Sequence, residues 1–338
     1  MTEREHKAKV YRAAKAAYDF VQQNNLGCLY PGCECSAIKS HSQQRRGALD
    51  AIARCGKVVV TSRDPISIMN ESSKHGSVHA KFFEQDIAKA SVFNGFCNKH
   101  DMEIFSAIET RPLVKDDPDQ VLAFYRRAVS HEYVREEDSC RYLLCNNLAN
   151  RIEELEDPIS IDLYIQQRML IDSDLEYYID PMWRSDHIKE LDWVWRVFPV
   201  NLNVSMVSMM PPISEAKVFR VTDPYFDIKK RKMSCPRPSV SMTIVPGKGE
   251  SHVIMVWHRY NDKYMDEWKA RLLSDNDNIV SELINECVFV RSEDYCINPD
   301  FWDLISPETK ERLSYAMIKE SMGRPPMSEI PKVISVSA

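Results

Sequence analysis

No stretch of this sequence is apolar for long enough to cross a bilayer. The longest uninterrupted run, Val253-Ile254-Met255-Val256-Trp257, falls far short of the roughly 20 residues a spanning helix needs, so no membrane association is expected. The charged start, Met1-Thr2-Glu3-Arg4-Glu5-His6-Lys7, has no apolar run behind it, so no signal peptide is expected either. The ten cysteines are therefore assigned to a reducing, cytoplasmic setting rather than to a disulfide scaffold. Internal repeats and low-complexity tracts are absent. So is the Gly-x-Ser-x-Gly elbow of the serine hydrolases, and Cys140 near His131 lacks the local signature of a thiol protease. Gly247-Lys248-Gly249-Glu250-Ser251 lacks the Gly-x4-Gly-Lys-Ser/Thr spacing of a phosphate loop and reads as a hairpin turn.

Nor is the chain coated in basic surface, since its net charge is -6. The charge is unevenly distributed, however. From Leu26 to Arg63 six basic residues (Lys39, Arg45, Arg46, Arg54, Lys57, Arg63) face only Glu34 and Asp50, whereas His131 to Asp180 is rich in acid. A polyanion would be drawn to the first region and repelled by the second, although both also suit solvated faces.

What is present is a chain of 338 residues, 44% hydrophobic, long enough for about two domains, or three if one is small. Apolar spacing at Val10, Ala14, Ala17 and Val21 predicts a helix from Glu3 to Asn24. Gly56 to Thr61 reads as a strand with Val78 to Phe83 as its partner, and Asn98 to Glu109 as a helix. Asp116-Asp117-Pro118 is a helix start, and helical patterns continue through Ile152, Ile161 to Tyr178 and His187 to Trp195. After Pro199 the period changes to two, with Leu202, Val204, Met206 and then Val240, Met242, Ile244 alternating with polar residues as half-buried strands. Helices over Asp262 to Ser274, Asn278 to Phe289 and Pro307 to Met322 close the chain. The expected fold class is α+β: an N-terminal helix (1–25), a zinc domain (26–112), a helical middle (113–198), an antiparallel sheet with helices (199–323) and a loose tail (324–338).

Three clusters suggest chemistry. Lys229-Lys230-Arg231-Lys232 with Arg237 is a basic run suited to phosphates or to an exposed loop. Trp183, Trp193, Trp195 and Phe198 form an aromatic group, read as packing between helix and sheet or as a stacking platform for bases. The third cluster is the most specific. Cys28-Leu29-Tyr30-Pro31-Gly32-Cys33 places two sulfurs on a tight turn, and Cys97 and His100 sit one helical turn apart. Zn2+ in a structural site takes four such ligands in a tetrahedron. Cys35 and His41 are spare, and Cys35 can replace Cys33; small buried thiols with no metal are the alternative.

A Cys pair on a turn closed by a Cys/His pair opening a helix resembles a treble clef, and with Ser40-His41-Ser42 between the halves it resembles the HNH, or ββα-metal, nucleases. The resemblance covers Leu26 to about Glu109. The wording of Ser40-His41-Ser42 and Gly95-Phe96-Cys97-Asn98-Lys99-His100-Asp101 also resembles bacterial proteins of uncharacterised activity, and a role in bacterial defence would fit. The resemblance implies that His41 is a general base, that Asn94 orients it, and that Asp101 binds a catalytic Mg2+ or Mn2+. It further implies that Lys39, Arg45 and Arg46 hold phosphates of DNA or RNA. The chain departs from the family pattern at Ser40, where a second metal ligand is usual, at His100, which replaces a Cys, and at Asn94, which lies closer to Cys97 than expected. Two functions follow: a metal-dependent nuclease, or a non-catalytic, zinc-stabilised protein that docks nucleic acid or an acidic protein partner.

Overall fold

The computed structural model describes residues 3–24, 26–62, 79–150, 167–212, 226–227, 232–233, 237–292, 294–319 and 330–337. Its strands are β1 (Ile38–His41), β2 (Lys57–Thr61), β3 (Phe82–Asp86), β4 (Val92–Phe96), β5 (Leu191–Phe198), β6 (Val204–Met210), β7 (Phe226–Asp227), β8 (Lys232–Met233), β9 (Val240–Pro246), β10 (Ser251–His258) and β11 (Tyr295–Ile297). Seven of them form one antiparallel sheet in the order β3-β2-β11-β6-β9-β10-β5, while β1 pairs with β4 and β7 with β8. The main helices are α1 (Glu3–Gln23), α2 (Asn98–Glu109), α3 (Pro118–Asn150), α4 (Asp262–Leu272), α5 (Asp277–Glu286), α6 (Pro299–Leu304) and α7 (Pro307–Lys319). This is an α+β fold, and no described helix is long and apolar enough to cross a membrane.

The sheet is covered on both faces. On one, Val204, Met206, Val240, Met242, Ile244, Val253, Met255 and Trp257 pack on Met265, Trp268, Leu272, Leu283, Ile284 and Phe289 of the C-terminal helices. On the other, Trp195, Val207, Val245, Ile254 and Val256 pack on Val121, Phe124, Ala128 and Val129 of α3 and on Phe96 and Phe105. The β1–β4 pair therefore joins the sheet through α3. Helix α1 lies along α3, burying Ala14, Ala17 and Val21.

Double coverage accounts for two departures from the sequence pattern. The polar half of the β6 and β9 alternation is buried rather than solvated: Ser205 donates to the Ile244 carbonyl at 3.4 Å and Ser241 to that of Val256 at 3.0 Å. The expected helix over His187 to Trp195 is a short turn followed by β5. Leu191, Val194, Trp195 and Phe198 have helical spacing because an edge strand with both faces covered buries Leu191 and Trp195 on one side and Val194 and Phe198 on the other. The partner of β2 starts at Phe82 instead of Val78. Phe82 stacks on Trp302 at 4.5 Å, and the polar outer strand carries Glu84, paired with Arg54.

Strands from 26–112 and from 199–323 share the one sheet. In the expected loose tail, residues 330–337 are packed: Ile334 and Val336 are buried, and the Asn285 side chain bonds the backbone at Val333 and Ile334. The expected helices over Glu3 to Asn24, Asn98 to Glu109 and Asp262 to Ser274 stand close to their limits. The expected helix from Ile161 is described only from residue 167, and the end of that from Pro307 lies outside the described residues.

Candidate metal centre

The Cys28–Cys33 turn is built by backbone. Cys33 N-H donates to the Tyr30 carbonyl at 3.0 Å, and Gly32 sits at φ +71°, where a Cβ would strain the chain. Cys28 N-H donates to the Cys35 carbonyl at 3.0 Å and Leu29 N-H to that of Gly95 at 2.9 Å, tying the turn to β4. β4 then leads directly to Cys97, the residue that precedes α2, with His100 in the first turn of that helix.

The sulfurs of Cys28, Cys33 and Cys97 and a ring nitrogen of His100 all lie within 4.8 Å of one another. His100 Nδ1 is 3.4 Å from both Cys28 Sγ and Cys97 Sγ, and Cys33 Sγ is 3.9 Å from Cys97 Sγ. A tetrahedron with Zn–S of about 2.3 Å and Zn–N of about 2.0 Å has edges of roughly 3.5 to 3.8 Å. The donor set thus fits a single ion such as Zn2+. Burial pushes the Cys28 thiol up to about 11, while the backbone N-H of His100 holds Cys97 below its ordinary value. Bringing in a cation would offset the first effect by favouring thiolate. Tyr30 stacks on His100 with ring centres 3.9 Å apart, and Trp183 meets the edge of Tyr30 at 5.3 Å. Cys35 is exposed and stands outside the group of four, as does His41.

His41 ends β1, opposite Val92, and its half-buried ring donates Nδ1-H to the Ala90 carbonyl at 3.1 Å. Burial lowers its proton affinity, and the charges of Arg45 and Arg127 lower it further. With Nδ1-H given to Ala90, Nε2 is the acceptor nitrogen of the neutral ring. The residues that follow are anchored. Ser42 donates to the Asp294 carboxylate and, at 3.1 Å, to the Ser91 carbonyl; Gln43 donates to the Asp294 carbonyl at 3.3 Å, and Gln44 donates to that of Ile108. Asp294 also faces His131 Nε2 at 3.4 Å.

Asn94 lies two residues from Val92 on β4, so it shares the His41 face of the pair. Ser40 points to the other face and is buried. Asp101 is half-buried in the first turn of α2. Among the described residues, neither His41 nor Asp101 belongs to a group of three or more His, Cys, Asp or Glu donors, so nothing in the geometry supports a catalytic Mg2+ or Mn2+ there. Lys39, Arg45 and Arg46 are exposed.

Sequence reasoning missed Arg127, Glu109 and Asp294. Arg127 is buried on α3, bonded to Glu109 Oε1 at 2.6 Å and lying 4.3 Å from the Phe105 ring centre. No local signal marks Asp294, which is 252 positions from the serine it binds. Of the basic run, residues 229–231 lie outside the description, and Arg237 is buried, not available to a polyanion: it pairs with Glu136 at 2.8 Å and with Asp174. Trp195 and Phe198 are buried; Trp195 Nε1-H donates to His252 at 3.0 Å and Trp193 Nε1-H to Asp116 at 3.1 Å.

No protein family, curated protein or solved structure matches the chain.

Proposed function

We propose that this chain is a nuclease of HNH-like design, in which a treble clef built from the Cys28–Cys33 turn, the β1–β4 pair and α2 is held by Zn2+ and presents His41 to a phosphodiester. Zinc would be structural, bound by Cys28, Cys33, Cys97 and His100, and it would fix the position of β4 and α2 relative to the turn. The observation that carries the reading is the His41 Nδ1-H bond to the Ala90 carbonyl, because it prepares Nε2 to accept a proton. In the proposed step, Nε2 takes a proton from water and the hydroxide oxygen bonds to phosphorus as the bond to the leaving oxygen breaks. The imidazolium then returns the proton to that oxygen. Lys39, Arg45 and Arg46 supply exposed positive charge for the flanking phosphates.

A second reading, a non-catalytic protein that docks nucleic acid, is favoured by one observation: Ser40 is buried where HNH enzymes carry a metal ligand. Plasmid and RNA incubated with the zinc-loaded protein in Mg2+ or Mn2+ separate the two. Cleavage that falls by about 10² to 10⁴ in His41→Ala supports the nuclease. Equal cleavage by both preparations, or none by the wild type, overturns it.

A further inference from the structure

A cleft of about 200 Å³ opens on the β3, β2 and β11 end of the main sheet. Its floor follows from register: Val60 stands opposite Phe83 and Val58 opposite Gln85, so these four side chains share one face. It is the face on which Val58 packs with Ile87, Ala90 and Cys296. The segment from Lys89 to Val92 forms the rim, and Asp294 completes the lining. That segment also serves His41, because the Ala90 carbonyl accepts Nδ1-H at 3.1 Å and Val92 is the partner of His41 across the β1–β4 pair. The cleft therefore borders the strand pair that carries His41.

The lining leaves polar groups unanswered beside an open ring. Among the described residues the Gln85 amide and the Lys89 ammonium have no hydrogen-bond or ion-pair partner, and Ser91 Oγ is buried without one. Phe83 is 37% exposed although it lies in a sheet. Ser91 sits at φ +51°, uncommon for a residue other than Gly, and Ser42 holds it there by donating N-H and Oγ-H to its carbonyl at 2.7 and 3.1 Å. That pins the rim. Lys89 and Asp294 carry the formal charges of the lining, and they cancel; Asp294 is buried, takes the Ser42 hydroxyl and faces His131 Nε2 at 3.4 Å. A neutral group thus suits the floor, and an anionic one suits only the exposed Lys89. A flat heterocycle meets both demands on the floor: its π-face stacks on Phe83, and its edge offers donors and acceptors to an amide that has one kind of each. The volume falls below the roughly 300 to 1,000 Å³ of sites for drug-sized ligands, which matches a single ring system.

From this arrangement we infer that the cleft binds one nucleobase of a single strand, stacked on Phe83 and bonded at its edge by Gln85, with the attached phosphate directed to Lys89 on the rim shared with His41. The base belongs to a strand because exposed Lys39, Arg45 and Arg46, in or just after β1, supply charge for further phosphates. The inference rests on nucleic acid being the substrate of the proposed reaction, and it gives that reaction a contact that senses bases as well as backbone.

The test is fluorescence anisotropy of the full-length, zinc-loaded protein with a labelled single-stranded oligonucleotide and with an abasic strand of the same length, alongside calorimetric titration with nucleoside monophosphates. The wild type is expected to prefer the base-bearing strand by about tenfold or more. Phe83→Ala should abolish that preference without changing the affinity for the abasic strand, and Phe83→Trp should retain it. Gln85→Ala should weaken the base-bearing strand by about threefold to tenfold. Phe83 and Gln85 lie on the outermost strand and neither is buried, so these variants are suited to retaining the fold, which circular dichroism checks. Lys89→Ala should weaken both strands equally, as a phosphate contact does. Monophosphates are expected to bind more weakly than the strand; binding as tight as the strand's would overturn the assignment to a strand in favour of a free nucleotide. Equal affinity of the wild type for the two strands, or a preference untouched by Phe83→Ala and Gln85→Ala, overturns the cleft. If plasmid is still cut in that case, the inference fails and the nuclease stands. Base-dependent binding through Phe83 without any cleavage leaves the cleft and removes the nuclease.

Discussion

At the scale of single residues, burial decides which groups hold charge. His187 is fully buried, with Nδ1 3.4 Å from the Glu190 carboxylate, and burial pushes its pKa down to about 4 from 6.5. The unfolded chain therefore binds a proton there between pH 6.5 and 4 that the folded chain refuses. The resulting stability is fully present above pH 6.5 and is lost as pH falls through about 4, on the order of 3 kcal/mol over that window. Denaturant unfolding from pH 7 to 4 should show this decline, and His187→Phe should flatten it. His252 and His258, lowered by burial in the same direction, keep some slope in the variant. The four donors of the candidate metal site have an equally direct readout. Cys97→Ser should reduce bound zinc from about one ion per chain to a small fraction and cost about 4 kcal/mol or more, as seen by elemental analysis and thermal unfolding. Full zinc occupancy in that variant would remove Cys97 from the site.

At the scale of elements, the metal centre depends on how closely the turn, β4 and α2 approach one another. Gly95 gives its carbonyl to Leu29, and a Cβ added there would stand 2.4 Å from a Phe93 ring carbon. Phe93 is itself buried against Phe96 and His131, so the ring has little room to yield. Gly95→Ala should destabilise by about 1 to 3 kcal/mol and weaken zinc retention against a chelator, measured together by thermal shift with and without chelator. An unchanged melting temperature would show that the strand can shift. The spacing of Cys28, Cys33, Cys97 and His100 made this assembly legible in the sequence, because zinc chemistry restricts which residues can converge. Helices α1, α2 and α4 were equally legible from apolar periodicity. Strand β5 was not, since a doubly covered edge strand places Val194 and Trp195 in succession and copies helical spacing. Asp294 and Arg127 were illegible for another reason: their partners are set by packing between distant elements, not by any local pattern.

At the scale of the molecule, buried charge ties the layers together. Arg237, just before β9, reaches Glu136 on α3 and Asp174, joining the sheet to the helical layer. Burial raises the pKa of both carboxyls while the Arg237 charge opposes that rise. Arg237→Ala would leave two buried acids without their cation and should cost about 3 to 5 kcal/mol, checked by urea unfolding at neutral pH. A loss of less than about 1 kcal/mol would show that the acids simply take up protons, and repeating the measurement at pH 5 would then restore no stability.

The short strand β11 lies between β2 and β6, and Asp294 immediately before it receives Ser42. During synthesis the segment bearing His41 emerges some 250 residues before the carboxylate that anchors its neighbour. Strands β2 and β3 therefore gain their inner neighbour only once a segment far along the chain has been made, and until then they wait as an incomplete edge, a contact of long sequence separation that forms late in folding.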